Sequence, residues 1–273
     1  VSLTLALGIL LAAALSAAAA LAAVVFFLRK RNTLLALRVE RSAMELERLQ
    51  RSFARFAPAA LVERIATGGL QSGAERREVT VMFADIRGFT RLSEDLDPAV
   101  VVEMLNGYFR EMSGVIQEHH GHITRLMGDG IMSVFGALEP NPWHVQDAVE
   151  AAIGMRQALG RYNEKLRARG LPELGFGVGL HCGPVVAGLV GSDELQEFTV
   201  MGDVVNVASR VEALTRRLET DLLVTDEVRS KLGERFRMTP MPALAIKGKA
   251  RPIVTWAVDL PVPDTERAGQ QAG

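Results

Sequence analysis

The hydrophobic pattern changes character along the chain. Val1 to Leu28 carries no charged residue and is rich in Leu, Ala, Val and Phe. About 20 such residues suffice to cross a bilayer, so residues 1–28 predict a transmembrane helix. From Asn32 to Phe56 the period becomes helical. Leu35, Val39, Ser42, Leu46, Leu49, Phe53 and Phe56 recur at alternating four- and three-residue steps, a heptad seam interrupted by Ser42. An amphipathic helix lying on its own domain is the plainer reading of the same residues. Pro58 ends or kinks this helix. Ala59 to Ile65 can form a further short helix, and Thr67 to Gly73 reads as a polar, Gly-rich linker.

Downstream the pattern alternates between strands and helices. Val79 to Ala84 is an apolar run with the β-branched and aromatic content of a buried strand. Val101, Met104, Leu105, Phe109, Met112 and Ile116 share a helical face between Pro98 and His119. Two apolar runs flank Gly128-Asp129-Gly130, which predicts a hairpin. Val145, Ala148, Ala152, Met155 and Leu159 form the core face of a long helix from Trp143 to Arg169. Phe176 to His181 and Val185 to Val190 read as two strands, with a loop over residues 191–197. Asp203 can cap a helix carrying Asn206 and Arg210. A short strand (Leu222 to Thr225), a short helix (Glu227 to Leu232) and late strands over Arg235 to Ile246 and Ile253 to Val258 follow. Strand, helix, hairpin, helix, strand is the ferredoxin-like βαββαβ arrangement, so the predicted class is α+β with a mainly antiparallel sheet. The tail from Pro261 is polar and expected to be disordered.

Composition adds three points. Lys and Arg number 31 and Asp and Glu 32, a balance that argues against a nucleic-acid partner. Cys182 is the only cysteine, which excludes an intrachain disulfide and fits a reducing compartment. Arg29-Lys30-Arg31 directly follows the apolar stretch. Cations flanking a span stay in the cytoplasm. The expectation is a single-pass membrane anchor with a cytoplasmic domain, rather than a cleaved signal peptide, since no basic region precedes the apolar run. The chain begins without Met, which fits a fragment whose sensor region lies upstream.

The candidate chemistry is carboxylate-based. Asp85 stands where the first apolar run ends, beside a glycine-containing turn that lets backbone approach a ligand. Asp129 sits in the hairpin turn. If the hairpin pairs beside the first strand, the two acids converge, and facing carboxylates repel unless a cation lies between them. Hard divalent ions take such oxygen ligands together with substrate phosphates. The plainer readings are a solvated strand end and an ordinary turn former. Asn206 and Arg210, four apart, share one helix face, as many exposed helices also show.

Together the stretches FADIRGFTRLSE, MGDGIMSVFG, FTVMGDVVNVASRVE and IKGKARP resemble, in family order, the class III nucleotide cyclase catalytic domain. The resemblance covers roughly Arg77 to Val258. With the hydrophobic pattern, the expected organisation is a transmembrane helix (1–28), a coiled-coil-like signalling linker (29–57), a connecting segment (58–76), a catalytic domain (77–260) and a tail (261–273). The resemblance implies an adenylate cyclase converting ATP to cyclic AMP and pyrophosphate. Asp85 and Asp129, with the Ile86 carbonyl, would hold two ions, Mg²⁺ or Mn²⁺. The amides of Arg87, Gly88, Phe89 and Thr90 would contact the phosphates, with Lys247 on the terminal phosphate. Arg210 would meet the α-phosphoryl oxygens and Asn206 the ribose. The family builds its sites between two domains. One copy of each residue set, with no internal repeat, therefore implies a homodimer.

Base choice departs from the family pattern. Adenylate-forming members carry Lys before the second metal motif and Asp or Thr near the Asn–Arg helix; guanylate-forming members carry Glu and Cys. This chain has Arg125 and Thr199 there. Both donate hydrogen bonds, which suits the adenine N1 acceptor better than the guanine N1 donor. Arg is no neutral replacement for Lys, so relaxed or guanylate specificity stays open. So does a catalytically silent nucleotide-binding module. No GGDEF or GGEEF stretch points to a diguanylate-forming enzyme, and a polymerase palm would require basic grooves and more length.

Overall fold

The computed structural model describes residues 26–32, 35, 37–45, 74–192, 196–245 and 252–261. The chain divides into two units, residues 1–62 and 63–273. In the first, residues 26–32 and 37–45 are helical. Leu35 and Val39 of the heptad seam are exposed on the single chain, while Leu46, Leu49, Phe53 and Phe56 lie outside the described residues. So does most of the 1–28 span. Among the described residues no helix is long and apolar enough to cross a membrane.

The second unit runs β1 (Glu75–Ile86), α1 (Phe89–Asp95), α2 (Pro98–Glu118), β2 (Gly121–Met127), β3 (Gly130–Phe135), α3 (His144–Ala168), β4 (Phe176–Gly191), β5 (Gln196–Met201), α4 (Asp203–Arg217), β6 (Leu222–Thr225), α5 (Asp226–Leu232), β7 (Phe236–Pro240) and β8 (Thr255–Pro261). The strand order is β2-β3-β1-β4-β6-β8-β7, with β5 also paired to β4. The first four strands and the helices between them make the βαββαβ unit expected from the sequence. Among the described residues only β4 and β6 run parallel; the other pairs are antiparallel.

Three local expectations are corrected. The segments around Phe176 and Val190 are one continuous strand, because β1 pairs with it from Glu75 opposite Ala187 to Ile86 opposite Phe176. Within that run Pro184 keeps its place opposite Glu78 without breaking the ladder. Residues 196 and 197 belong to β5 rather than to a loop, paired with Gly191 and Val190. Asp203 is the first residue of α4, with Gly202 in the capping position.

Alternation along the strands decides which face each helix covers. Met82, Ala84 and Ile86 of β1 and Phe176, Val178, Leu180 and Cys182 of β4 join one buried cluster with Met104, Tyr108, Met112 and Ile116 of α2 and a row from α3. The intervening residues face the opposite side, where α4 packs. Two glycines in β4 make that packing close. A Cβ on Gly179 would lie 2.1 Å from the Glu212 backbone nitrogen, and one on Gly177 would lie 2.2 Å from Thr215 Oγ1.

Arg156 of α3 ties the far end of the sheet down. Its Nε–H and Nη2–H donate to Asp221 at 2.6 and 2.8 Å, and it also donates to the carbonyls of Val258, at 2.8 Å, and Asp259. Charge-assisted bonds of this kind contribute about 1.5–3 kcal/mol each when partly shielded, and they are not additive. Arg156→Met, which keeps the stem, is expected to cost about 2 kcal/mol in urea unfolding, lowering the midpoint with little change in slope.

Candidate active site

β1 and the β2–β3 hairpin bring Asp85 and Asp129 together. Ala84 lies opposite Ile131 across the β1–β3 pair, so the next step along β1 reaches the hairpin turn. Gly130 makes room: a Cβ there would stand 3.4 Å from Asp85 Oδ1 and 3.3 Å from the Met127 carbonyl. Gly128 takes the left-handed conformation the turn requires, with φ 65°. The Asp85 carboxyl is pushed up to about 6, first by burial, then by the Asp129 charge and a hydrogen bond between the two side chains. Arg216 and the Ile86 amide offset part of that rise.

Beyond Ile86 the chain turns through Gly88, at φ 66°, into α1. The Arg87 amide donates to the Gly175 carbonyl at 2.9 Å. It is therefore engaged within the fold, which differs from the expectation that it would meet phosphate; Gly88, Phe89 and Thr90 line the turn after it. The Arg87 side chain runs back under α4 and donates to the carbonyls of Thr220 and, at 3.5 Å, Thr215. Its Nε is buried without a hydrogen-bond partner among the described residues.

Sequence reasoning passed over Glu212. It lies on the face of α4 that meets the sheet and shares with Asp85, Arg87 and Arg216 the lining of a cavity of about 200 Å³. Burial pushes its carboxyl up to about 7, and the Asp85 charge adds to this, while Arg216 and Arg87 oppose it. Tyr108, fully buried on the other side of the sheet, also senses Asp85, Asp129 and Glu212, and its hydroxyl titrates far above the ordinary range. The signal for Glu212 was its spacing. Val207, Val211 and Leu214 are buried core positions of α4, and a carboxylate beside Val211 is turned inward with them.

Asn206 and Arg210 are placed differently. Residues on a helix advance about 100° each, so Arg210 and Glu212 lie about 200° apart. Asn206 is exposed and Arg210 partly so. The structure therefore does not bring them to Asp85 of the same chain. Arg125 and Thr199 do share a patch. The Arg125 guanidinium donates to Glu197 at 2.7 and 3.2 Å. Thr199, two residues along β5, has the same side of the strand as Glu197, since Phe198 and Val200 between and after them are buried. Lys247 lies outside the described residues.

The donor set fits a hard divalent ion. Two close carboxylates, one of them pushed up by burial and then by its neighbour, leave a deficit of positive charge, and the adjacent Ile86 carbonyl adds a further oxygen. Among the described residues no group of three or more His, Cys, Asp or Glu that could hold a metal ion is found.

Comparison with known proteins gives the family. Residues 73–259 match the adenylate and guanylate cyclase catalytic domain model. The chain is 35% identical over 225 residues to an adenylate cyclase of Anabaena cylindrica, a match covering 78% of this chain and 44% of that protein. It thus spans less than half the length of that relative. Among solved structures, the guanylyl cyclase Cya2 aligns with a TM-score of 0.66 at 34% identity, covering 70% of this chain and 96% of that one. The adenylyl cyclase CyaB from P. aeruginosa aligns with a TM-score of 0.66 at 31% identity, covering 70% and 98%. The chain belongs to the adenylate and guanylate cyclase catalytic domain family.

Proposed function

We propose that the chain is an adenylate cyclase that works as a homodimer with two shared sites, converting ATP to 3′,5′-cyclic AMP and pyrophosphate. The observation that carries this reading is the division of α4. Its inner face, with Glu212, borders the Asp85 cavity, while Asn206 and Arg210 occupy the outer face. These two side chains serve a cleft only when a second copy presents its own Asp85 and Asp129 to them.

Within that cleft Asp85, Asp129 and the Ile86 carbonyl would hold Mg²⁺ or Mn²⁺, which when bound supplies charge neutralisation for the phosphates and a lower barrier to deprotonating the ribose 3′-hydroxyl. The amides of Gly88, Phe89 and Thr90 would receive phosphate oxygens, with Lys247 on the terminal phosphate. Arg210 of the facing copy would donate to the α-phosphoryl oxygens as their charge grows. Asn206 would orient the ribose for in-line attack, a positioning effect. Arg125 and Thr199 would read the purine. The uncharged stretch of residues 1–28, followed by Arg29-Lys30-Arg31, would anchor the domain at the cytoplasmic face of a membrane.

Mixing variants tests the shared site. Asp85→Ala and Asn206→Ala proteins are each expected to form no cyclic AMP from Mn²⁺ and ATP. Mixed, they recover about a quarter of the wild-type rate, because half of the dimers are heterodimers and each has one intact cleft. Heterodimers verified by differential tags that stay inactive would overturn the reading.

A further inference from the structure

We infer that Glu197 is a positioning residue for purine choice: it grips one edge of the Arg125 guanidinium and so fixes the other edge as a hydrogen-bond donor to the base. The inference rests on the cyclase reading above and adds to it a residue that the family resemblance did not supply.

The contact is not a consequence of strand pairing. Arg125 is on β2, at one edge of the sheet, and Glu197 is on β5, which pairs with β4. β3 and β1 stand between β2 and β4 in the strand order. The two side chains nevertheless meet in a two-pronged bond, Nε–H to Oε1 at 3.2 Å and Nη2–H to Oε2 at 2.7 Å. Both side chains are about half exposed, at 49% and 48%. An ion pair this wet contributes little to folding, so its geometry is the property to explain.

That geometry solves a problem specific to arginine. A lysine ammonium is a compact point charge that donates in many directions, whereas a guanidinium donates only in its own plane. Unheld, Arg125 would sample many rotamers and offer any of five N–H groups. With Nε–H and one Nη2–H committed to Glu197, the remaining donors sit on Nη1 and the outer side of Nη2, and each Glu197 oxygen accepts one bond in return. Thr199, on the same side of β5 as Glu197, lies next to this arrangement. A purine arriving there meets a fixed donor beside a carboxylate whose charge the guanidinium already balances. Adenine N1 accepts from such a donor; guanine N1–H does not, and loses a hydrogen bond on desolvation.

The test compares the wild-type chain with Glu197→Gln, an isostere that weakens the grip without removing the side chain. The expected result is a KM for ATP raised about tenfold with kcat within about twofold, and an ATP-over-GTP preference in kcat/KM reduced about tenfold. The same substitution in an Arg125→Lys background is expected to change the preference by less than about twofold, because an ammonium does not require the second anchor. A preference unchanged by Glu197→Gln, or one that falls equally in both backgrounds, overturns the inference. Binding of ribose-labelled fluorescent ATP and GTP with Mn²⁺ reads the same preference without turnover. A wild-type protein that binds with this Glu197-dependent preference but forms no cyclic product would refute the proposed function and leave the role of Glu197 standing.

Discussion

The Asp85→Asn protein is expected to be inactive and, without metal, more stable than wild type. Under the proposed function Asp85 would be a metal ligand, and losing it would remove several kcal/mol of transition-state stabilisation, which at 1.36 kcal/mol per decade corresponds to a rate reduced by about a thousandfold or more. The stability effect has the opposite sign. In the fold the Asp85 carboxyl titrates near 6 rather than 3.8, so the native state keeps a proton that the unfolded chain has already released. Metal-free wild-type protein therefore loses stability as pH rises from about 4 to about 6, and the penalty persists above that range. Asp85 is only partly shielded from solvent, so the penalty is about 1 kcal/mol. The neutral amide removes it and also relieves Glu212, whose carboxyl is raised partly by the Asp85 charge. Thermal denaturation at pH 7.5 in chelator should show the variant melting higher. Adding Mn²⁺ should raise the melting temperature of wild type and leave the variant unmoved. A variant less stable than wild type in chelator would contradict the strained carboxylate pair.

Gly179→Ala is expected to disable the protein from inside the sheet. The new methyl carbon would lie 2.1 Å from the Glu212 backbone nitrogen and 2.5 Å from its Cα. No side-chain rotation relieves a clash with helix backbone, so α4 itself must lift. Overpacking of this kind costs about 3 kcal/mol. The displaced helix carries Asn206 and Arg210, so the rate should fall further than the loss of folded protein explains. Urea titration with a parallel rate measurement separates the two effects. A rate that merely tracks the folded fraction would mean that α4 tolerates displacement. Gly154, whose Cβ would instead meet a methyl of Val115 at 2.8 Å, provides a comparison in which only side chains must yield.

How much was visible in the sequence depends on the range of the interaction. Asp85 and Asp129 were legible because each is marked locally, one by the end of an apolar run and the other by a glycine-flanked turn. The ferredoxin-like core was legible for the same reason: period-two and helical stretches alternate cleanly from Val79 to His181. Glu212 and Glu197 were not, because their partners lie far along the chain. Glu212 acquires its character from burial beside Asp85, and Glu197 from a bond to a residue 72 positions away. The continuity of β4 through Pro184 was hidden too. Proline usually ends a strand in local reading, and only the long pairing with β1 overrides it. The direction of the Arg87 side chain was likewise unreadable, since the carbonyls it meets belong to the last turn of α4 and the segment just after it, more than a hundred residues later.

The contact of α4 with β4, made through two glycines, fuses parts of a protomer that have separate duties. β1 beside it carries Asp85, while the outer side of α4 carries Asn206 and Arg210, which under the proposed function would serve a second cleft. In a symmetric pair of chains, closure around a nucleotide on one side would drag the Asn206–Arg210 surface on the other through this stiff joint. The two halves of the assembly would then respond to substrate in concert, and a twist delivered to one chain would reach both nucleotides at once.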